Sequence, residues 1–332
     1  MKVISASQIE SLLSPSLCIA ALRSAMEAVS RGDAELPIRT FMPINGCDGK
    51  MAIMPGSLAA PRCFGIKLVA KYVREPGSPY GTHEGVVVLF DSESGLPVAM
   101  MEGATLTGIR TAAASALATD LLAREDATRL LIIGCGEQAR RHVKALKTIR
   151  DFEEIMIWGR SAERAGQLAK ALSVSEGVAV TVVENLAGAA MSADVITTVT
   201  SAQEPVLLGE WVSPGTHVNL VGSAVPTNRE ADRALVTRCR YYVDYRPAAL
   251  AAAAELLEAI SAGAIDETHI VAEIGEVASG DAPGRQDLDD ITVYKSLGIA
   301  AQDLAAAHAV YSQAVADGIG TDADLKDTGS HR

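Results

Sequence analysis

The chain has 332 residues, 48% of them hydrophobic and 21% charged, with a net charge of −12. That length exceeds one ordinary core, so two domains are expected, and the composition is that of a folded globular protein rather than a disordered chain. An acidic chain without a basic run argues against nucleic acid or an anionic membrane surface as partner.

The cysteines Cys18, Cys47, Cys63, Cys135 and Cys239 are scattered and form no CxxC pair. Neither a disulfide framework nor a metal site is expected from them, and the histidines show no ligand spacing either. The opening MKVISASQIESLLS lacks the apolar stretch of a signal peptide, and no run of apolar residues reaches the roughly 18 of a membrane span. A cytoplasmic protein is the expectation.

Residues 7–31 predict one helix, with Ser7 or Ser14 as N-cap and Gly32 as its stop. The period then changes. Short β-rich runs at 38–44, 51–55, 64–73, 85–91 and 96–103, the last two joined by SESG, predict a strand-rich first domain. From Thr105, TLTGIRTAAASALATDLLA predicts a helix so apolar that most of its surface is buried, as in a link between two domains. Strands at 129–134, 154–158, 178–183, 194–199, 216–221 and 240–244 then alternate with helical stretches, the pattern of a parallel, doubly wound sheet. ALAAAAELLEAI at 249–260 predicts another helix, 298–317 a last one, and the polar tail at 322–332 is expected to fray.

Gly134-Cys135-Gly136-Glu137-Gln138-Ala139 follows the apolar strand RLLII and opens a helix. It is the G-x-G-x-x-A form of the dinucleotide fingerprint: Gly134 for the turn, Gly136 for close approach of the pyrophosphate, Ala139 for helix-on-strand packing. The next strand ends in Trp158-Gly159-Arg160-Ser161 where an NAD site usually carries an acid. A guanidinium and a hydroxyl suit a 2′-phosphate, so NADPH is the preferred cofactor, with NADH as the second choice.

Arg39, Lys67 and Arg110 stand in apolar text. Cations in such places either pair with internal acids, reach solvent, or hold an anionic ligand.

The segments MPG (54–56), GIKLVA (65–70), GATLTGIRTAAASALAT (103–119), IIGCGEQA (132–139), ADVITTVTSAQEPVL (193–207), HVNLVGS (217–223), EIGEV (273–277) and VYKSLGIAAQD (293–303) resemble the ornithine cyclodeaminase/mu-crystallin family over nearly the whole chain. The resemblance implies an α/β fold in which a Rossmann-type doubly wound parallel sheet, residues 119–304, is inserted into a strand-rich α+β substrate and dimerisation domain, residues 1–118 plus 305–332. It implies a homodimer. By motif match, Arg39, Lys67 and Arg110 look like the clamp on a substrate carboxylate, with Met54 beside it. Thr82, Arg110, Thr111, Glu137, Gln138, Thr198 and Ser296 look like cofactor-lining positions, and Val218 to Val221 like the strand beneath the nicotinamide.

The loop VGSAVPTNREAD, 221–232, departs from the cyclodeaminase pattern. Cyclodeaminases carry an Asp two residues before the proline, where this chain has Ala224, and an acid near the MP turn, where it has none. The resemblance then points to the ketimine reductases, which reduce Δ1-pyrroline-2-carboxylate or Δ1-piperideine-2-carboxylate to L-proline or L-pipecolate. Lys67 is the one catalytic candidate, as a proton source near the imine nitrogen. The alternatives are an ornithine cyclodeaminase using recycled NAD, an amino-acid or opine-type dehydrogenase, and a cofactor-binding protein without activity. His83, His142, His217, His308 and His331 are read as structural, Arg229, Glu230 and Asp232 as a helix start, and Asp287, Asp289 and Asp290 as solvated charge.

Overall fold

The computed structural model describes residues 1–74, 78 and 80–325; the fraying expected at the end of the tail, and His331, fall outside them. The chain divides into two compact units, Met1–Arg110 with Ile299–Arg332, and Thr111–Gly298.

Unit 1 opens with β1 (Lys2–Ile4), α1 (Ala6–Leu12) and α2 (Pro15–Ser30), then runs through β2 (Ala34–Glu35), β3 (Thr40–Pro43), β4 (Lys50–Leu58), β5 (Cys63–Lys71), β6 (His83–Asp91) and β7 (Pro97–Glu102) into α3 (Gly103–Leu122). Unit 2 continues with β8 (Arg129–Ile133), α4 (Glu137–Leu146), β9 (Glu154–Trp158), α5 (Ala162–Glu176), β10 (Val180–Val182), α6 (Leu186–Ser192), β11 (Val195–Thr198), β12 (His217–Leu220), α7 (Arg233–Arg238), β13 (Arg240–Val243), α8 (Arg246–Ala252), α9 (Ala254–Ser261), β14 (Ile270–Glu273), α10 (Ile274–Ser279) and β15 (Thr292–Lys295). The chain then returns to unit 1 as α11 (Ala300–Ala316) and β16 (Thr321–Asp322).

The helix expected at 7–31 is two helices, bent by 84° where Pro15 begins the second. Proline fits the first turn of a new helix, and the Ser14 hydroxyl caps it by accepting from Leu17 N at 3.2 Å. Ser7 lies inside α1, whose cap is Ser5 in a reciprocal pair with Gln8. The alanine-rich run likewise breaks at Ala253 into α8 and α9.

In unit 1 the sheet order is β16-β1-β7-β6-β5-β4-β2, with β3 also paired to β4. Gly56 and Gly65 face each other across β4 and β5, and a Cβ on either would meet α11: Ala300 Cβ at 3.0 Å from Gly56, Leu304 Cδ2 at 2.8 Å from Gly65. Two bare backbones thus let α11 lie close on the sheet. That close seat places Asp303 against Lys67, two residues beyond Gly65.

Unit 2 is a wholly parallel sheet, β10-β9-β8-β11-β12-β15-β13-β14. The chain leaves β8 toward β9 on one side and returns to β11 on the other, a reversal that opens a crevice at the carboxyl ends of the strands. The four-residue strands β14 and β15 were not anticipated. The units change over at 110/111 and 298/299, not at 118/119 and 304/305. From Thr111 on, α3 packs within unit 2, with Ser115 bonded to His142 and Thr119 to Asn219.

Candidate active site

The carboxyl edge of the unit 2 sheet gathers most of the residues expected to hold a dinucleotide. Gly134 leaves β8 at φ +132°, and a Cβ there would lie 2.7 Å from Val199 O, so only glycine makes this turn. Gly136 is the N-cap of α4, and a Cβ on it would meet nothing within 4 Å. Its bareness therefore serves no protein packing; it leaves room against the helix N-terminus, where a pyrophosphate gains from the free N–H groups. Ala139 is fully buried under the strand. Gln138 Oε1 and Ser296 Oγ are buried without hydrogen-bond partners. Two unpartnered polar atoms and an open glycine cradle fit a bound dinucleotide.

Glu137, an acid in the first turn of α4, would repel phosphate if bare. Its carboxylate instead accepts from Arg140 Nη2 at 2.6 Å and Arg141 Nε at 2.7 Å. Burial alone would raise its pKa, and the two guanidinium groups outweigh that and lower it. Arg160 is exposed just past β9, and Ser161 caps α5 by accepting from Arg164 N at 3.2 Å. The Ser161 O–H remains a donor.

Two of the expected cofactor-lining positions on this edge are engaged within unit 2. Val218 is fully buried in the hydrophobic core of unit 2, because strand alternation turns Val218 and Leu220 inward while His217 and Asn219 face the other way; only Val221, past the strand end, is partly exposed. Thr198 sits at the edge, but its hydroxyl donates to Glu230 Oε2 at 2.8 Å.

Glu230 is no helix-start acid. It is fully buried and accepts four hydrogen bonds, from Thr198 Oγ1 at 2.8 Å, Thr200 N at 2.7 Å, Thr200 Oγ1 at 2.8 Å and Gly222 N at 2.6 Å. Burial pushes its carboxyl above the usual range, while Lys295 and the Thr200 donors oppose the shift. Its backbone N–H donates to Glu255 at 2.9 Å. Lys295 Nζ in turn lies 2.9 Å from Glu255 Oε2, a charge contact without hydrogen-bond alignment. This buried network ties the loop after β11 to the loop after β12, the two that border the crevice. Asp232 is the acid that caps α7, accepting from Leu235 N at 3.1 Å and from Gly209 N at 2.8 Å.

In unit 1, Lys67, Arg110 and Met54 come together as expected. Met54 and Lys67 are cross-strand partners on β4 and β5, both buried. Lys67 Nζ and Arg110 Nε each lie 2.9 Å from Asp303 Oδ1, and Arg110 Nη1 donates to Gln302 Oε1 at 2.8 Å. Both cations therefore have an internal partner. Two cations sharing one carboxylate oxygen keep a net positive charge, and Asp303 Oδ2 is left without a hydrogen-bond partner. Burial lowers the Lys67 pKa to about 7, aided by Arg110 and Arg39 and opposed by Asp303. Arg39, half-buried ahead of β3, acts electrostatically on both Lys67 and Lys71. Asp303 is the member that sequence reading missed. Its signal was an acid in an apolar helix, the complement that buried cations require.

Thr82 is exposed, with its hydroxyl 2.9 Å from His83 Nδ1. Thr111 is buried in α3 at the start of unit 2. His142 bridges Ser115 Oγ and Gln138 O, and His217 bridges Thr292 and Asn219, so both are satisfied structural imidazoles. Burial lowers their pKa values from 6.5 to about 4 and about 3. The unfolded chain binds more protons below pH 6.5, so their contribution to stability is whole above that pH and is lost as it falls toward 4. Thermal unfolding of His142→Gln should lose less Tm between about pH 7 and pH 5 than wild type; equal losses would place the acid sensitivity elsewhere.

A groove at the amino ends of β8 and β9 is lined by Arg124, Lys147, Arg150 and Arg285. It lies at the wrong end of the strands for a dinucleotide, and its cations are engaged, Arg124 with Asp194 and Arg150 with Asp120. Among the described residues no cluster of His, Cys, Asp and Glu side chains could hold a metal ion, and no single helix is long and apolar enough to cross a membrane.

Residues 1–318 match the model of the ornithine cyclodeaminase/mu-crystallin family. The chain belongs to that family. Among its members, ketimine reductase mu-crystallin of Mus musculus is 38% identical over 303 residues, 90% of this chain and 93% of its own. Delta(1)-pyrroline-2-carboxylate reductase of Bacillus cereus is 35% identical over 321 residues, 96% of this chain and 98% of its own. The structure of Thermococcus litoralis Delta(1)-pyrroline-2-carboxylate reductase in complex with NADH and L-proline superposes with a TM-score of 0.93 at 32% identity, covering 97% of this chain and 100% of that one.

Proposed function

We propose that this family member reduces a cyclic ketimine carboxylate, Δ1-pyrroline-2-carboxylate or Δ1-piperideine-2-carboxylate, to L-proline or L-pipecolate, with NADPH preferred over NADH. It is an NAD(P)H-dependent oxidoreductase acting on C=N bonds, as its named relatives are. The observation that carries the reading over a cyclodeaminase is the state of the acids in the loop 221–232. Glu230 is saturated by four donors and Asp232 by two backbone N–H groups, while Ala224 offers no acceptor. No carboxylate of this loop is left to hold a substrate ammonium.

When bound, NADPH would supply the hydride that reduces C2 of the protonated imine. Arg39, Lys67 and Arg110 fix the ring by its carboxylate, so their work is orientation. A substrate that arrives as an iminium needs no enzymic base. Lys67, with a pKa near 7, is the group of this chain able to hold or release a proton at neutral pH beside that carboxylate. Gly136, Gln138 and Ser296 would hold the dinucleotide, and Arg160 with Ser161 would take the 2′-phosphate. The same reading includes a homodimer acting in the cytoplasm.

Nicotinamide absorbance with each cyclic imine, against ornithine and pyruvate-plus-ammonia controls, tests the reaction. Oxidation of NADPH by either imine is expected; ammonia release from ornithine without added reductant would restore the cyclodeaminase. Arg160→Ala should cost NADPH about tenfold or more in KM and leave NADH nearly unaffected. An unchanged ratio removes the 2′-phosphate assignment.

A further inference from the structure

Lys295 stands where the strand pattern calls for an apolar residue. It closes β15, fully buried, and its register partners Leu220 of β12 and Val243 of β13 belong to the hydrophobic core of unit 2. Alternation sends Val293 and Lys295 to that core and turns Thr292 and Tyr294 the other way. The next residue, Ser296, donates its N–H to Leu220 O at 3.0 Å and carries the unpartnered hydroxyl at the crevice. Asp244 holds the turn that follows, accepting from Leu297 N at 2.9 Å and Gly298 N at 2.7 Å.

Under the loop 221–232 the Lys295 ammonium meets Glu255 Oε2 at 2.9 Å, and Glu255 Oε1 accepts from the Glu230 N–H at 2.9 Å. The carboxylates of Glu230 and Glu255, both buried, thus share one buried cation. Asp232, two residues along the loop, is held by backbone N–H groups, Arg229 pairs with exposed Glu204 at 3.0 Å, and Tyr241 of β13 lies in the field of Glu255 and Asp244. A buried ion pair with no other task is often replaced by apolar side chains without loss of stability. This pair has another task within reach, because Lys295 acts electrostatically on Glu230 as well.

We propose that Lys295 and Glu255 are positioning residues for the dinucleotide: the Lys295 ammonium keeps Glu230 a carboxylate, able to accept its four hydrogen bonds from the loops after β11 and β12, and Glu255 balances that ammonium. A protonated Glu230 turns an O–H toward one of those donors, and the lip of the crevice loosens. This rests on reading the crevice as the dinucleotide site and is independent of which imine is reduced.

The test is the affinity for NAD⁺, which has no 2′-phosphate to titrate, measured by calorimetry between about pH 5 and pH 8. In wild type the affinity falls in acid as Glu230 takes up a proton. Glu255→Gln keeps an acceptor for the Glu230 N–H and leaves the ammonium unopposed, so the fall moves to lower pH by about one unit. Adding Lys295→Met to Glu255→Gln removes the ammonium and returns the fall to higher pH by about one unit or more. The same histidines and lysines of unit 1 titrate in all three proteins, so the differences read this cluster. A pair that serves only the fold lowers Tm and leaves the fall in place; coincident pH profiles for Glu255→Gln with and without Lys295→Met therefore overturn the proposal. Should the double variant not fold, a fall that Glu255→Gln leaves where wild type has it overturns it equally. Binding of NAD⁺ by none of the proteins at any pH overturns the reading of the crevice instead.

Discussion

Arg110→Ala lowers kcat/KM for the cyclic imine by about 10²- to 10³-fold, the loss expected when one partner of a buried, hydrogen-bonded charge group is truncated. Arg110 is buried, donates to Asp303 and Gln302, and stands with Lys67 on one carboxylate oxygen. Its removal takes away the excess positive charge that draws a substrate carboxylate to this end of unit 1, since Lys67 and Asp303 then cancel. Asp303→Asn is the informative contrast. It removes the acid that keeps Lys67 protonated, so the thermal midpoint falls, yet Arg110 still presents a net positive charge toward a carboxylate and KM should not increase. A purely structural triad would respond in the same way to both changes. Near-normal turnover by Arg110→Ala would sink the carboxylate anchor.

Glu230→Gln is expected to destabilise the protein by about 2–5 kcal/mol and to raise KM for NADPH while lowering kcat. Each carboxylate oxygen of Glu230 accepts two hydrogen bonds, one of them from a backbone N–H, Thr200 on one oxygen and Gly222 on the other. An amide keeps one acceptor oxygen and turns an NH₂ toward the other pair, so one backbone N–H must face a donor in a buried site. The space to relax is small: a Cβ at Gly222 would stand 2.5 Å from both Glu230 Oε1 and Thr200 N. The loops after β11 and β12 should separate, and with them the lip of the crevice. Thermal melting with cofactor kinetics checks this. A lower Tm with unchanged KM for NADPH would make Glu230 a brace for the fold alone.

How much of this was legible beforehand differs from residue to residue. The glycine loop was legible because its requirement is local: Gly134 must turn and Gly136 must stay bare, and both needs are written within a few residues of one strand end. The parallel sheet was legible from alternation of strand and helix, although β14 and β15 were not read from it. The break at Pro15 was written plainly, yet the apolar spacing on either side of it reads as one continuous helix. For Val218 the motif gives a position along a strand and not the face it presents.

The cations were legible as anomalies, since Arg39, Lys67 and Arg110 stand in apolar text, but residue order leaves open whether an internal acid or a ligand answers them. The tertiary structure supplies both terms. Asp303 stands 236 residues beyond Lys67 and 193 beyond Arg110, brought in because paired glycines let α11 seat on the sheet. Lys50 and Lys71 gather on the Phe41 ring. Local stereochemistry is carried by neighbours in the chain, so glycines, prolines and strand periods declare themselves in the text. Electrostatic balance is carried by neighbours in space, and only the folded chain decides which charge meets which.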